Sequence, residues 1–573
     1  MNDVLISLII PVYNVERRWL EAAVESVRRQ TYPHWQLCIA DDGSDRQETL
    51  NYLQQLADER IQVLFLDANH GIAAASNSAL SIAKGRFVGF LDHDDELTAD
   101  ALQQVIQTIE ESEPDLIYSD EEYININGHH YSAHFKPDYS PDLLLSINYI
   151  CHLAIYRRSL LQQIGGLHEG YDGAQDHDLL LRAVEQTRRI IHIPRILYRW
   201  RRIPGSTADR FANKHYAWEA GRSAVADALR RRGIQSQVVC GQHPGTYRVH
   251  RKIENTPTVS IVIPFRDLPE ILARCIESIL QKTTYPHFEI IGVSNQSQEP
   301  KTLAIMADYQ KRDARIRFLN YDHPFNFSAI NNFAAHQAEG EHLLLLNNDT
   351  EVINSDWLEA LLEHSQRPEV GAVGAKLYFP NDTIQHAGII IGIGGSAGHS
   401  HKCIDRRDPG YFNRLTVTQN TSAVTGACLM VKKSLYLALG GLDEINLPIA
   451  FNDVDFCLRL REQGYLNVFT PYCELYHHES QSRGPETTPH RKQLFRQELH
   501  YLRQRHSTIF DKGDPYYNPH LPLNRETFGL RLRWLRPMAF AVRDEWQNHH
   551  SSIGLFKVMC RELRKLFRHV RTH

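Results

Sequence analysis

The chain has 573 residues, too many for one hydrophobic core, and its 42% hydrophobic and 23% charged residues match an ordinary water-soluble globular protein of two or three domains. A net charge of -5 gives no basis for a nucleic-acid partner, and no apolar run reaches the length of a membrane span. Nine scattered cysteines without a C-x-x-C pair indicate neither a disulfide framework nor a zinc site, which fits a reducing cytosol.

From the N-terminus, residues 4–12 form a short apolar run that contains Pro11 and lacks a basic leader, so it reads as a first strand rather than a signal peptide. Leu20, Ala23, Val24 and Val27 recur at helical spacing until Tyr32-Pro33. Residues 37–40 make a second strand that stops at Asp41-Asp42-Gly43-Ser44, and a helix carrying Leu50, Leu53 and Leu56 leads to a third strand at 61–66. Asn69-His70-Gly71 turns into a helix of small residues, and residues 87–91 deliver a fourth strand into the acidic turn Asp92-His93-Asp94-Asp95. Alternating strands and helices imply βαβ units and a mainly parallel sheet, whose ligands bind at the carboxyl ends of the strands. An Asp-x-Asp turn there offers hard oxygen ligands for Mg²⁺ or Mn²⁺; it also suits a plain solvated turn.

The same order returns in the second half. SLIIP at 7–11 matches SIVIP at 260–264, TYPH occurs at 31–34 and 284–287, and GGL occurs at 165–167 and 440–442. QDHDLLLR at 175–182 returns as NDVDFCLR at 452–459, and LLLLNNDTEV at 343–352 places Asp349 where Asp94 stands. A period this long means tandem domains rather than a solenoid.

These segments, together with NHGIAAASN in the first half and NFSAINN, TGACLMV and LYHHESQSRG in the second, resemble a family 2 glycosyltransferase of the inverting GT-A type from about residue 4 to about residue 525. The resemblance implies an α/β fold of two tandem GT-A domains with mainly parallel sheets, at 1–245 and 258–525, joined by a linker at 246–257 and followed by a helical tail at 526–573. It implies sugar transfer from nucleotide-diphospho-sugar donors to a growing surface polysaccharide or lipid-linked glycan, in the cytoplasm, with Mg²⁺ or Mn²⁺ as cofactor. Asp176 and Asp453 are the implied bases, while Asp178 and Asp455, in the first helical turn, read as structural. Implied nucleotide contacts are Pro11, Asp41, Asp42, Asn69, Pro264 and Asn295, and implied metal ligands are Asp92, Asp94, Asn347, Asp349 and His477.

Two departures stand out. Ser294 occupies the position of Asp41, and aligning LYRWRR with LYHHES puts Arg199 in the place of the metal-binding histidine. Both departures keep a second reading open, in which one domain is a degenerate carbohydrate-binding scaffold. Nucleotidyl transfer would need a glycine-rich basic loop near the first strand, which VYNVERR and FRDLPE lack.

GIGGSA at 392–397 satisfies a dinucleotide fingerprint but lies deep inside the second domain, and His399, His401 and Cys403 lack a fourth zinc ligand, so both read as a loop over the substrate cleft. Beyond residue 529, Leu555, Met559, Leu563, Leu566 and Val570 form an apolar stripe among lysines and arginines. Such a helix suits either peripheral contact with an anionic membrane or packing on the second domain.

Overall fold

In the computed structural model, residues 4–203, 215–478 and 489–529 are described, so the apolar stripe at 555–570 lies outside the described residues. These residues form two compact units: 4–136 with 150–203 and 215–221, and 137–149 with 222–478 and 489–529. Residues 137–149 and 222–245, which the sequence assigns to the first domain, thus pack with the second unit.

The first unit is built on the fully buried strand Ile6–Val12, which pairs in parallel with Trp35–Asp41 on one side and Phe87–Phe90 on the other. Ile61–Phe65 extends the parallel part beyond Trp35–Asp41. Past Phe87–Phe90 the sheet becomes mixed: Ala154–Arg157 runs antiparallel to it, then come Leu116–Ile124, Ile190–Arg201 and the short Glu96–Leu97. The helix Arg17–Arg28 covers one face with Leu20, Ala23, Val24 and Val27, the stripe read from the sequence, and adds Trp19 to it. Strand order reverses at Ile6–Val12, and open α/β sheets take their ligands at the carboxyl ends of the strands flanking such a point.

The second unit repeats the order strand for strand: Ile316–Asn320, Phe288–Ser294, Val259–Phe265, His342–Leu346, Cys428–Lys432, Val370–Tyr378, Leu466–His477 and Thr350–Val352. The repeated sequence segments are repeated ties. Tyr32 of TYPH donates from its hydroxyl to the Val4 carbonyl at 2.8 Å, and Tyr285 does the same to Pro257 at 2.6 Å. Ser7 Oγ accepts from the Gly85 N–H, as Ser260 Oγ does from Gly340. The GGL turns are held through Asn77, bonded to both backbone polar groups of Leu167, and through Asn332, bonded in the same way to Leu442. Each tie fixes a loop against a neighbouring strand end or, for the GGL turns, against a helix, which is why these short strings recur.

Within the second unit the helix Pro141–Ser146 is anchored by Asp142, whose carboxylate accepts from Arg367 Nη1 at 2.6 Å and from Asn420 Nδ2 at 2.7 Å. Burial alone would raise the Asp142 carboxyl, but Arg367 and Arg251 hold it well below the usual range. Ile389–Ile391 and Ala397–His399 form a two-stranded antiparallel hairpin around the GIGGSA turn, which is not the strand-to-helix turn of a dinucleotide fold. No helix among the described residues is long and apolar enough to cross a membrane.

Candidate active site

At the carboxyl end of the parallel strands of the first unit, Asp41 and Asp42 are both buried. Asp42 binds the loop beside it, accepting from the His70 and Gly71 N–H groups at 2.8 and 2.9 Å. Asp41 accepts from the Ser44 N–H through Oδ2, and its Oδ1 has no protein partner although buried. A buried unpaired carboxylate oxygen is costly, and a base N–H of a nucleotide would satisfy it. Gly43 makes the turn possible: its φ is +69° and a Cβ there would lie 2.6 Å from the Ala68 carbonyl carbon. Asn69, at the tip of the neighbouring loop, is exposed, and Pro11 lies in the central strand with its carbonyl 3.2 Å from His93 Nδ1.

In the second unit, ladder pairing of Phe265 with Ser294 matches that of Val12 with Asp41, so Ser294 holds the place of Asp41. Asn295, the counterpart of Asp42, donates to the carbonyls of Tyr321 and His323 at 3.0 and 2.8 Å. Its Oδ1 is buried without a partner, so the unpaired acceptor sits one residue later than in the first unit. Pro264 occupies the equivalent of Pro11 in the central strand.

The acidic turns follow. In the second unit Asn347 and Asp349 meet His477: Asp349 Oδ1 lies 3.2 Å and Asn347 Nδ2 3.3 Å from His477 Nε2. His477 Nδ1 is buried without a partner. This convergence of carboxylate, amide and imidazole suits a divalent cation.

The first unit solves the same place differently. Glu96 pairs with Arg199 as Glu351 pairs with Tyr476, and Glu122 pairs with Arg199 as Tyr378 pairs with Tyr476. Both ladders therefore make Arg199 the counterpart of Tyr476 and set Trp200, not Arg199, against His477, a one-residue correction to the string alignment. Arg199 itself donates to Glu122 at 3.1 Å. Asp92, Asp95 and His152 each offer a ligand atom, and these lie within 4.8 Å of one another. Asp94 is not in this group; its carbonyl accepts from Arg201 Nε at 2.9 Å. Asp95 is fully buried and accepts from the Tyr198 hydroxyl at 2.6 Å and the Arg201 N–H at 2.7 Å. Burial pushes its carboxyl well above the usual range, and Asp94 and Asp92 add to that.

The helices Gln175–Gln186 and Asn452–Glu462 carry Asp176 and Asp453 in their first turns. Asp453 accepts from the Gly426 and Val454 N–H groups, each at 2.8 Å, and burial raises its carboxyl more than these bonds lower it. Asp176 Oδ2 faces Cys151 Sγ at 4.0 Å. Asp178 and Asp455 are fully buried, and each accepts at 2.8 Å from the arginine four residues on, Arg182 and Arg459. Those arginines reach back to the Ile164 and Leu439 carbonyls, fastening the helix before the GGL turn.

Base and acidic turn are linked through one pair of adjacent residues. In the second unit Gly426 donates to Asp453 and the Ala427 carbonyl accepts from the Asn347 N–H at 3.1 Å. The sheet register makes Cys151 and His152 their counterparts, and there Cys151 faces Asp176 while His152 Nε2 lies 3.7 Å from Asp92 Oδ2. His152 and Cys151 were not found from the sequence; they follow a loop and carry no motif of their own.

His399 and His401 diverge: His399 Nδ1 lies 2.9 Å from His386 Nδ1, whereas His401 stacks on Phe528 at 4.4 Å, and Cys403 is exposed. Burial, then Lys402, hold His399 down to about 3, so this pair is neutral.

The sequence profile of Glycosyl transferase family 2 matches residues 7–165 and 260–440. Protein y4gI of Sinorhizobium fredii is 48% identical over 541 residues, 93% of this chain and 59% of that protein. The O-antigen biosynthesis protein RfbC of Myxococcus xanthus is 41% identical over 531 residues, 92% of this chain and 41% of that protein. The chain thus spans about half the length of these curated relatives. Among solved structures, residues 1–349 of S. aureus TarS in complex with UDP-GlcNAc align with a TM-score of 0.33 at 22% identity, covering 39% of this chain and 66% of that one.

Proposed function

The chain belongs to glycosyl transferase family 2, and from that premise we propose that each unit transfers a sugar, with inversion, from a nucleotide-diphospho-sugar to a hydroxyl of a growing surface polysaccharide or lipid-linked glycan in the cytoplasm. The observation that carries this reading is the linkage just described. In each unit one adjacent residue pair touches both the helix-borne aspartate and the acidic turn, Gly426–Ala427 in the second and Cys151–His152 in the first.

In-line displacement needs a base on the acceptor side and charge stabilisation on the leaving side. Asp453 is held by two N–H groups with its carboxylate beside the strand start at Gly426, where it can take the acceptor proton as the hydroxyl attacks the anomeric carbon. Asp176 has the same helical position in the first unit. Asp41 Oδ1 and Asn295 Oδ1 are the acceptors available to a base N–H. Asn347, Asp349 and His477 would hold Mg²⁺ or Mn²⁺, which when bound offsets the charge growing on the diphosphate. The lysines and arginines around the apolar residues at 555–570 in the sequence support a peripheral contact with an anionic membrane, where a lipid-linked acceptor would reside.

Ser294 favours a second reading for the second unit, a carbohydrate-binding scaffold without turnover, because it removes the carboxylate that reads the base. Purified protein, given a panel of nucleotide sugars and a glycan acceptor, tests both. Donor consumption that is lost in Asp453→Asn supports catalysis by the second unit, and consumption unchanged in that variant supports the scaffold.

A further inference from the structure

The two units differ by an exchange at the acidic turn. The second unit has Ala427 at the start of its antiparallel strand and His477 on the ladder opposite Thr350. The first has a histidine, His152, at the former position and Trp200 at the latter. In each unit an imidazole approaches a carboxylate of the turn, His477 from the end of Leu466–His477 and His152 from the residues just before Ala154–Arg157.

His152 is held at both its backbone and its ring. Lys136, fully buried, donates from Nζ to the Ile150 carbonyl at 2.6 Å and to the His152 carbonyl, and the Glu121 carboxylate accepts from the His152 N–H at 3.3 Å. Its ring stacks on Tyr198 at 4.7 Å and meets the edge of Trp200 at 5.4 Å, so the tryptophan that replaces the ladder histidine helps to orient the substitute. Tyr198 in turn donates to Asp95, which fixes that carboxylate from behind.

We propose that the first unit holds a divalent cation with Asp92, Asp95 and His152, with His152 taking the role that His477 takes in the second unit. This rests on reading the acidic turns as cation sites and names a donor set the D-x-D spacing does not contain, with Asp95 in place of Asp94. One imidazole among oxygen donors favours Mn²⁺ over Mg²⁺, which prefers oxygen ligands alone.

The test uses Mn²⁺ alone, titrated into the full chain and followed by electron paramagnetic resonance, with Asp349→Ala and His477→Ala present to silence the second unit. That parent should bind one Mn²⁺ with the nitrogen hyperfine coupling of a bound imidazole. Adding His152→Phe keeps an aromatic ring stacked on Tyr198 and removes the nitrogen; the coupling should vanish and affinity fall by roughly 10-fold or more. A parent that binds no Mn²⁺, coupling that persists, or affinity unchanged in His152→Phe overturns the proposal. Mn²⁺ binding as expected without any sugar transfer would count against the proposed function and leave this site standing.

Discussion

In the first unit Asp41 stands at a strand end with one buried carboxylate oxygen unpaired, and the histidine beside the acidic turn is His152; the second has Ser294 and Ala427 at those places and carries its histidine at His477. Around these differences the scaffolding is the same residue for residue: Tyr32 and Tyr285 on the strand entry, Asn77 and Asn332 on the GGL turn, Asp178–Arg182 and Asp455–Arg459 under the base-bearing helix. Side chains that hold loops in place are repeated, as are the helix-borne Asp176 and Asp453, whereas Asp41 gives way to Ser294 and His152 to Ala427. That pattern suits two transferases of one fold with different donors or linkages, because loop ties set geometry while crevice groups set what is recognised.

The comparison breaks most readily at the cation. Asp349→Ala should lower divalent-cation-dependent transfer by the second unit by about 10²-fold or more while leaving the thermal midpoint within a few degrees, since cation stabilisation of a leaving diphosphate amounts to several kcal/mol. Full activity in that variant would remove the metal assignment. Next comes the nucleotide. Asp41→Ala should weaken nucleoside diphosphate binding by the first unit by about 10-fold, the size of one hydrogen bond to a charged group, and Ser294→Ala should change binding by the second unit by less than about 3-fold. Calorimetric titration of each variant reads the difference, and equal losses would make the two recognition sites alike.

A smaller effect is the pH dependence of the second unit. Burial raises the Asp453 carboxyl, and a base must be ionised to work, so second-unit transfer should be full above that raised value and fall as pH drops through it. The acid limb of its rate profile then lies above the ordinary aspartate range; a limb within that range contradicts the buried-base reading. Smallest are the shared ties. Tyr32→Phe and Tyr285→Phe should each cost about 1 kcal/mol of unfolding free energy in denaturant titration, and equally, because each removes one hydrogen bond to a backbone carbonyl.

The parallel half of each sheet was legible because buried strands are apolar runs, and the acidic turns because they end such runs. The duplication was legible because each tie needs a particular residue at a particular spacing. Arg199 was set in the place that belongs to Trp200 because ladder register, which shifts around Asp120, decides which residue faces the turn, and a string match on Leu-Tyr does not see it. His152 was missed because its position depends on the pairing of residues 154–157 with 87–89, a long-range contact with no local period. The docking of residues 137–149 in the second unit rests on Asp142 meeting Arg367 and Asn420, partners more than two hundred residues away.

On this reading each unit performs its own transfer with its own base. Mass spectrometry of products grown on a defined oligosaccharide acceptor by Asp176→Asn and by Asp453→Asn tests it most directly, since the amide keeps the shape and removes the proton acceptor. The two variants should stall at products of different length or linkage. Complete wild-type polymer at the wild-type rate from either variant would contradict it.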